Sequence, residues 1–198
     1  MLTQLRQTIT KLVPLTRSDD VMLESIFTPH AFRKHDVLLG QGQYARELFF
    51  VNEGFLRAFL YQKGEEVTTH LVGAGTFLTS FGSFIGGAVS HETIHCLSEG
   101  TLLRLSHENL ERLYARDAKW QFFGRKLMES SLLCKEQRTI ELISLTAEQR
   151  YLNLLQHQPQ LVAHVPVQHL ASFIGIKPES LSRIRRNFLT NVKRKVAG

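Results

Sequence analysis

Residues 163–191, AHVPVQHLASFIGIKPESLSRIRRNFLTN, have the pattern of two short helices joined by a tight turn. The apolar residues of the first helix follow the i, i+3, i+4, i+7 spacing of one helical face: Val167, Leu170, Ala171 and Ile174. Gly175 then provides a C-terminal stop. Pro178 suits the first position of the second helix, because its missing N–H is one that the helix would leave unpaired.

The second helix of this stretch has one apolar face and one polar face. Leu181, Ile184 and Phe188 share the apolar face. The opposite face is mostly cationic and consists of Glu179, Ser182, Arg183 and Arg186. This arrangement predicts a helix-turn-helix, whose second helix enters the DNA major groove. An ordinary helical hairpin with a solvated charged face is the alternative, since the geometry is not unique to DNA-binding proteins.

The positive charge of the chain is concentrated near one end. The 198 residues carry a net charge of +6, yet residues 1–146 hold 16 basic and 16 acidic side chains. Residues 147–198 hold 8 basic and 2 acidic side chains, which accounts for the whole excess. A basic segment on a neutral body indicates binding to a polyanion such as DNA. A basic helix on a membrane surface is a weaker alternative, because the apolar residues are spaced to pack a compact unit.

Before this segment, the spacing of the apolar residues changes twice along the chain. Leu2, Leu5, Ile9 and Leu12 predict a first helix, and Ser18 is expected to cap a second one. From residue 32 to about residue 105, short apolar segments separated by glycines alternate with period two, and Lys63-Gly64-Glu65 predicts a hairpin turn. Such strands predict a small antiparallel barrel or jelly roll.

Helical periodicity returns after residue 105. A long helix is expected from Asp117 to about Ser144, with apolar residues on more than one side, although a single-sided core helix remains the alternative. Residues 161–165 are expected to form a short strand of a winged unit. Too few residues follow the last helix for a full wing, so the wing is expected to be shortened or missing.

The β-rich segment HDVLLGQGQYARELFFVNEGFLRAFL, residues 35–60, closely resembles the opening of a cyclic-nucleotide-binding β-roll. Gly42 and Gly54 stand where that pattern has its glycines. Together with ESLSR at residues 179–183, this order makes the chain resemble the CRP/FNR family of transcription regulators from end to end.

The resemblance implies an α+β fold in three parts. Residues 1–116 would form an N-terminal antiparallel β-roll (jelly roll) with flanking helices, residues 117–145 a long dimerisation helix, and residues 146–198 a winged-helix-like helix-turn-helix. The resemblance also implies a homodimer on double-stranded DNA with a palindromic operator, and contact with RNA polymerase.

The resemblance assigns DNA-contacting roles to residues around the second helix. Glu179, Ser182 and Arg183 match the Glu-x-x-Ser-Arg pattern of the FNR-like branch, which implies that they read a TTGA-type half-site. Chemically, Glu can accept from cytosine N4–H and Arg can donate to guanine O6 and N7. The other expected contacts are Ser180 and Arg186 beside them, and Lys177, Arg185 and the basic tail on phosphates.

The same resemblance suggests that the β-roll has lost its usual ligand. Relatives that bind cyclic nucleotides use a Gly-Glu pair on the ribose and an Arg on the phosphate, whereas this chain has Thr79-Ser80 and Ser90-His91-Glu92 at about those positions. A buried phosphate without its cation is unfavourable. We therefore expect no tight binding of cyclic AMP, and either another small-molecule effector or none. Candidate lining residues are Thr79, Ser80, Ser83, Ser90 and His91.

No cofactor, metal site or catalytic residue is expected. HETIH at residues 91–95 matches HExxH, but the motif lies in strand territory, where residues four apart are roughly 13 Å apart. No cysteine precedes Cys96, which argues against an iron–sulfur sensor, and Cys96 and Cys134 form no CxxC pair. The absence of a long apolar run or a signal peptide indicates a cytoplasmic protein without a membrane span.

The sequence thus predicts a dimeric, sequence-specific transcription regulator with a degenerate effector pocket. The alternative is a β-roll regulatory or protein-interaction module whose terminal helices contact a partner protein. A steep salt dependence of DNA binding would distinguish the first from the second.

Overall fold

The computed structural model describes residues 2–196, without the side chains of Leu189 and of residues 191–196. The helices are α1 (Thr3–Thr10), α2 (Arg17–Ile26), α3 (Phe81–Phe84), α4 (His107–Arg116), α5 (Ala118–Ser144), α6 (Ala147–His157), α7 (Pro159–His164), α8 (Val167–Phe173) and α9 (Pro178–Val196). The strands are β1 (Phe27–Phe32), β2 (Val37–Leu39), β3 (Glu47–Glu53), β4 (Leu56–Gln62), β5 (Glu65–Val72), β6 (Phe77–Leu78), β7 (Thr93–Cys96) and β8 (Gly100–Ser106).

The strands form two four-stranded antiparallel sheets. One has the order β1-β8-β3-β6 and the other the order β2-β7-β4-β5. Both contribute to one hydrophobic core, in which Phe50 and Leu103 of the first sheet join Ala58 and Ile94 of the second. The predicted combination of antiparallel β-structure and a long helix is confirmed. The hairpin predicted at Lys63-Gly64-Glu65 joins β4 to β5, with positive φ at the first two of these residues, as a tight hairpin requires.

Two boundaries near the N-terminus differ from the sequence prediction. The cap of α2 is Thr16 rather than Ser18, because Thr16 and Asp19 satisfy each other's backbone N–H groups in a capping box. The first strand begins at Phe27 rather than near Phe32. Pro29 lies inside it, and an edge strand tolerates proline because its outer side needs no N–H donor.

The long helix α5 has the predicted length. Asp117 caps its N-terminus by accepting from the Lys119 N–H, and Thr146, two residues after α5 ends, caps the next helix. Trp120 and Phe123 near its start are buried against the sheets. Its second half continues past the sheets towards the C-terminal helices, so one helix connects both parts of the chain.

The last four helices share a second hydrophobic cluster. It contains Leu154 of α6, Leu161 of α7, Leu170 of α8 and Leu181 of α9, together with Leu71 of β5. The strand predicted for residues 161–165 is wrong, because Pro159 begins α7 there as its first residue and a short apolar run fits either structure. Residues 107–196 contain only helices as regular elements, so the winged part of the fold prediction has no counterpart within them.

The close approach of neighbouring atoms at the β1–β8 pair explains why residue 100 is glycine. A Cβ atom there would lie 2.1 Å from the carbonyl oxygen of Glu53 and 2.6 Å from the ring of Phe32. Neither neighbour can move without displacing a strand of the first sheet.

We therefore expect Gly100→Ala to lower the free energy of unfolding by about 1–3 kcal/mol, measured by urea denaturation. Gly82→Ala is the matched control, since its Cβ meets no atom within 4 Å, and it should change the same free energy by less than about 0.5 kcal/mol. Equal stabilities for the two variants would contradict the assigned packing role.

Candidate functional site

The turn between α8 and α9 is fixed by backbone hydrogen bonds. The Ile176 N–H donates to the Ala171 carbonyl and the Gly175 N–H to the Ser172 carbonyl, at 3.0 and 3.1 Å. With Gly175 at φ +74, these bonds form a Schellman motif, which needs a residue that adopts left-handed φ without strain. Pro178 is the first residue of α9, and the Lys177 carbonyl accepts from its first turn. The turn between the two helices is therefore held by its own backbone hydrogen bonds.

The polar face predicted for α9 is exposed. Glu179, Ser182, Arg183 and Arg186 are all exposed, and their spacing of three, four and seven residues places them on one side of the helix. On the other side, Leu181 is buried, and Ile184 packs against the second cluster. Lys177 is exposed at the end of the turn, and Ser180 is half-buried. The basic residues of the chain terminus, 193–195, have side chains outside the described part.

Arg185 differs from the other predicted DNA-contacting residues. Its guanidinium donates to the Val162 carbonyl at 3.2 Å and lies 5.7 Å from the ring centroid of Tyr151. These contacts tie α9 to α7 and α6. Arg185 is thus half-buried and used within the helical unit, which gives it a structural role and weakens its assignment to a phosphate.

Helix α8 lies against the free edge of the second sheet. The Ser172 hydroxyl accepts from the Thr68 N–H at 2.9 Å and donates to the Glu66 carbonyl at 3.1 Å. Arg138 of α5 donates to the Thr68 carbonyl at 3.1 Å, and its guanidinium lies 3.9 Å from the ring centroid of Phe173. The Thr68 N–H and the carbonyls of Glu66 and Thr68 are therefore satisfied by α8 and α5 instead of by another strand.

A cluster of histidines lies at the same contact. The ring of His95 in β7 is 5.9 Å from that of His35 and 6.1 Å from that of His169 on α8, measured between centroids. Arg57, 1% exposed, donates from Nε to the Thr68 hydroxyl at 2.8 Å and pairs with Glu66 at 2.6 Å. Within residues 2–196, no group of three His, Cys, Asp or Glu side chains is arranged to hold a metal ion.

This environment disfavours the protonated histidines. Burial lowers the pKa of His169 to about 4, and the charges of Arg57 and His95 act in the same direction. The pKa of His95 is also lowered, mainly by burial and then by Arg57. Both imidazoles are consequently neutral at neutral pH, and their protonation opposes the contact between α8 and the sheet.

Most of the residues predicted to line an effector pocket form hydrogen bonds within the β-roll. Thr79, Ser80, Ser83 and Ser90 are buried, and His91 is exposed on a loop. The Thr79 hydroxyl donates to the Glu47 carbonyl, and that of Ser83 accepts from the Ala45 N–H. Ser90 is bonded to Glu92 through its hydroxyl and to the turn before β3 through its backbone. These groups hold the fold locally, and their role in lining an effector pocket stays a prediction.

A large cavity lies elsewhere, where the long helix meets both parts of the chain. Its volume is about 910 Å³, and its walls come from the end of β5 and the following loop, from the second half of α5, and from α6 to α8. Sequence reasoning missed it because its walls are distant in the chain. The basic Lys135 and Arg138, which interrupt the apolar pattern of α5, were the available signal.

The exposed side of α5 carries large apolar residues. Leu132, Leu133, Ile140 and Ile143 are exposed, Ile143 to 82%. At about 100° per residue, these side chains lie roughly opposite Cys134, Arg138 and Glu141, which face the cavity. The second half of α5 thus has an exposed apolar side and a largely polar side that faces the cavity.

Comparison with known proteins agrees with this architecture. Residues 29–117 match the family model of the cyclic nucleotide-binding domain. The match begins inside β1 and ends at the cap of α5, and so covers both sheets. No curated protein matches the sequence.

Solved structures with the same fold extend through the C-terminal helices. FixK2 from Bradyrhizobium japonicum has a TM-score of 0.75 and 16% identity, covering 84% of this chain and 86% of its own. The c-di-GMP responsive global regulator CLP of Xanthomonas campestris has a TM-score of 0.67 and 19% identity, and the match covers 89% of this chain and 93% of CLP. A Eubacterium rectale protein assigned to the CRP/FNR regulators has a TM-score of 0.68 and 15% identity, and the match covers 89% of this chain and 85% of that protein. At these identities the likeness shows the fold alone.

None of the helices in the described part is both long and apolar enough to cross a membrane. The longest, α5, carries charged residues along its whole length, including Arg125 and Lys126, which both pair with Glu129.

The histidine cluster predicts an acid-sensitive contact. In the undocked or unfolded chain, His169 takes up a proton near its ordinary pKa of 6.5, but in the folded chain only near 4. The stability that neutral His169 gives to the folded chain is therefore present above about pH 6.5 and is lost as the pH falls towards 4.

We expect the urea midpoint of unfolding to fall between about pH 7 and about pH 5, and His169→Gln to make this fall shallower, because glutamine takes up no proton. His91→Gln, at an exposed histidine outside the cluster, is the control and should keep the wild-type pH dependence. Identical pH profiles for His169→Gln and wild type would exclude this contribution of His169.

Proposed function

We propose that this protein is a sequence-specific DNA-binding transcription regulator of the CRP/FNR type. The observation that carries the proposal is the exposed face of α9, with Glu179, Ser182 and Arg183 following a tight turn after α8. Side chains of this kind, on a helix that projects beyond its supporting helix, can reach base edges in the major groove. The neighbours CLP and the Eubacterium rectale protein, which are regulators by name, support the same class.

The electrostatics of the chain favour the same partner. The whole net charge of +6 comes from residues 147–198, which include α6 to α9. Lys177 and Arg186 are exposed beside the proposed base-reading residues, where they would contact phosphates and position the helix. Released counterions then make binding strongly salt-dependent. A protein-interaction module with the same helices remains the second candidate, but a neutral partner would give a shallow salt dependence.

The exposed apolar side of α5 suits a second copy of the chain. A symmetric pair of α5 helices would cover Leu133, Ile140 and Ile143 in both copies, a large apolar area that water otherwise contacts. The dimer would carry two α9 helices, which on B-DNA must be about 34 Å apart to enter successive major grooves. The operator is then a palindrome, and contact with RNA polymerase follows from the family resemblance.

The β-roll is proposed to have lost tight binding of cyclic AMP. Ser90 occupies about the position of the phosphate-binding arginine, and its hydroxyl is already bonded within the chain. Burial alone would raise the pKa of Glu92, but the nearby His70 and the Thr69 hydroxyl hold it below its usual value. A carboxylate at this place repels a phosphate. Calorimetric titration with cyclic AMP should therefore show no micromolar binding.

The base-reading assignment predicts a loss of specificity in one variant. Arg183→Ala should weaken binding to the cognate duplex by about 1–3 kcal/mol, because it removes a two-bond contact to guanine, and should leave binding to scrambled duplexes nearly unchanged. The cognate duplex is first selected from a random library, and affinities are measured by fluorescence anisotropy at fixed salt.

Lys177→Ala is the matched control for Arg183→Ala. It removes one positive charge from the same exposed region but no proposed base contact, so it should weaken cognate and scrambled duplexes by similar factors. If the two variants behaved alike on both duplexes, the base-reading role of Arg183 would be excluded.

The dimer proposal predicts a monomeric variant. Leu133→Glu combined with Ile140→Glu places two carboxylates in the proposed interface, which should weaken self-association by at least about tenfold, measured by sedimentation equilibrium. Val21→Glu, at an exposed apolar residue of α2, adds a charge far along the chain from α5 and should leave association unchanged. A wild-type chain that is monomeric at micromolar concentration would refute the dimer.

A further inference from the structure

A chain of hydrogen bonds connects a buried arginine of the second sheet to helix α8. Arg57 of β4 donates from Nε to the Thr68 hydroxyl of β5 at 2.8 Å. The Thr68 N–H donates to the Ser172 hydroxyl of α8 at 2.9 Å, and Ser172 donates to the Glu66 carbonyl. Thr68 is fully buried, and the bond of its N–H to Ser172 exists only while α8 covers β5.

His169 lies on the same side of α8 as Ser172, because the two residues are three positions apart. Its ring centroid is 6.1 Å from that of His95 in β7, with the two rings at 81° to each other. His95 stands opposite Arg57 in the β4–β7 ladder, and its ring stacks on that of His35. The histidine of α8 therefore meets the sheet at the place where the sheet already holds a buried positive charge.

The charged and titratable groups that act on His169 come from several elements of the β-roll. They are Arg57 of β4, Glu66 of β5, His95 of β7 and His35 in the turn before β2. The Glu66 carboxylate is already paired with Arg57, at 2.6 Å. Arg138 of α5 adds a further cation beside the same helix, 3.9 Å from the ring centroid of Phe173. A proton added to His169 therefore enters a cationic site whose carboxylate is in use.

His95 is also poorly placed to hold a second proton. Its Nδ1 atom is buried and has no hydrogen-bond partner among the described residues. A protonated imidazole has two N–H donors, and a buried donor without an acceptor is unfavourable. Burial, followed by the charge of Arg57, lowers the pKa of His95 and that of His169.

Departure of α8 from the sheet would give both imidazoles a better environment for a proton. His169 would move away from Arg57 into water, and His95 would lose the ring of His169 that covers it. Protons therefore bind more tightly to the released arrangement than to the docked one, in which Ser172 is bonded to β5. By linkage, a fall in pH shifts the equilibrium towards release.

We propose that acid releases α8 and α9 from the edge of β5 while the sheets stay folded, with His169 and His95 as the groups that take up the protons. The sheets have a hydrophobic core of their own, whereas α6 to α9 share the second cluster, so the two parts can separate without unfolding. Release of α8 goes beyond the proposed function and does not depend on DNA binding.

Hydrogen exchange of the Thr68 N–H in the full chain, followed by NMR, measures the release directly. The ratio of the intrinsic to the measured rate gives a protection factor that is free of the intrinsic pH dependence of exchange. Between about pH 7 and about pH 5, this factor should fall about fivefold or more, an expectation that allows for solvent screening of the half-buried His169. It should also be at least about tenfold lower than the factors of β8, an inner strand of the other sheet. A Thr68 protection factor that ignores pH, or that equals those of β8, would overturn the proposal.

Variants separate the effect of charge from that of packing. His169→Gln combined with His95→Gln takes up no proton at either position, and the fall in Thr68 protection should shrink to less than about twofold. His169→Arg carries a permanent charge and should lower the protection factor at about pH 7 to near the wild-type value at about pH 5. His91→Gln, at an exposed histidine outside the cluster, should behave as wild type. Circular dichroism and the β8 protection factors establish that each variant is folded. Wild-type pH dependence in the double variant would refute the assignment to His169 and His95.

The consequence for DNA rests on the proposed function. Two α9 helices must be held at a fixed spacing to enter successive major grooves, so release should weaken cognate binding more than binding to scrambled duplexes. Between about pH 7 and about pH 5, the ratio of the cognate to the scrambled affinity should fall about threefold or more in wild type and stay nearly constant in the double variant. A chain that binds no duplex at either pH would refute the proposed function and leave the exchange result in force. Release seen by exchange with an unchanged affinity ratio would overturn the coupling to DNA.

Discussion

The open edge of β5 is the constraint on which the rest of the structure depends. A strand edge exposes N–H and carbonyl groups that must find partners. Here the Ser172 hydroxyl bridges Thr68 and Glu66, and the Arg138 guanidinium takes the Thr68 carbonyl. The two bonds of Ser172 attach α8 to β5, and the hydrogen-bonded turn at Gly175 links α9 to α8. The position of the proposed DNA-reading face is therefore set at the edge of a sheet.

The same contact brings together groups that are expensive to bury. Arg57 is almost fully enclosed, and its charge lowers the pKa of His169 and His95, which burial has already lowered. Protonation of either imidazole weakens the contact, so its free energy depends on pH more than that of an apolar contact would. On the neighbouring side, Arg138 and Arg150 keep two positive charges at the cavity wall. Polar groups thus hold the helical unit against the sheet together with the apolar cluster around Leu71.

Much of the architecture could be predicted from local sequence. Asp117 and Thr146 are strong capping residues, and they define the ends of α5 within a residue or two. The Lys63-Gly64 turn and the apolar spacing of α8 are equally local, and both predictions are confirmed. Prediction failed where two structures share one pattern, as at residues 161–165. Local sequence also gives no sign that the Thr79 hydroxyl donates to the Glu47 carbonyl, 32 residues away. No local signal marks Ser172, whose partners are 104 and 106 residues away.

The contact of Ser172 with β5 also affects whether the chain can rearrange without aggregating. If α8 left the sheet so that α9 could turn towards another orientation, residues 65–72 would become an uncovered edge strand containing Val67, Leu71 and Val72. Such an edge can pair with the same strand of another molecule, and long-lived undocked chains would then be drawn towards aggregation. Any rearrangement of this protein must therefore be brief or must cover that edge in another way. The free edge of β5 thus limits how far the protein can open and still remain dispersed in solution.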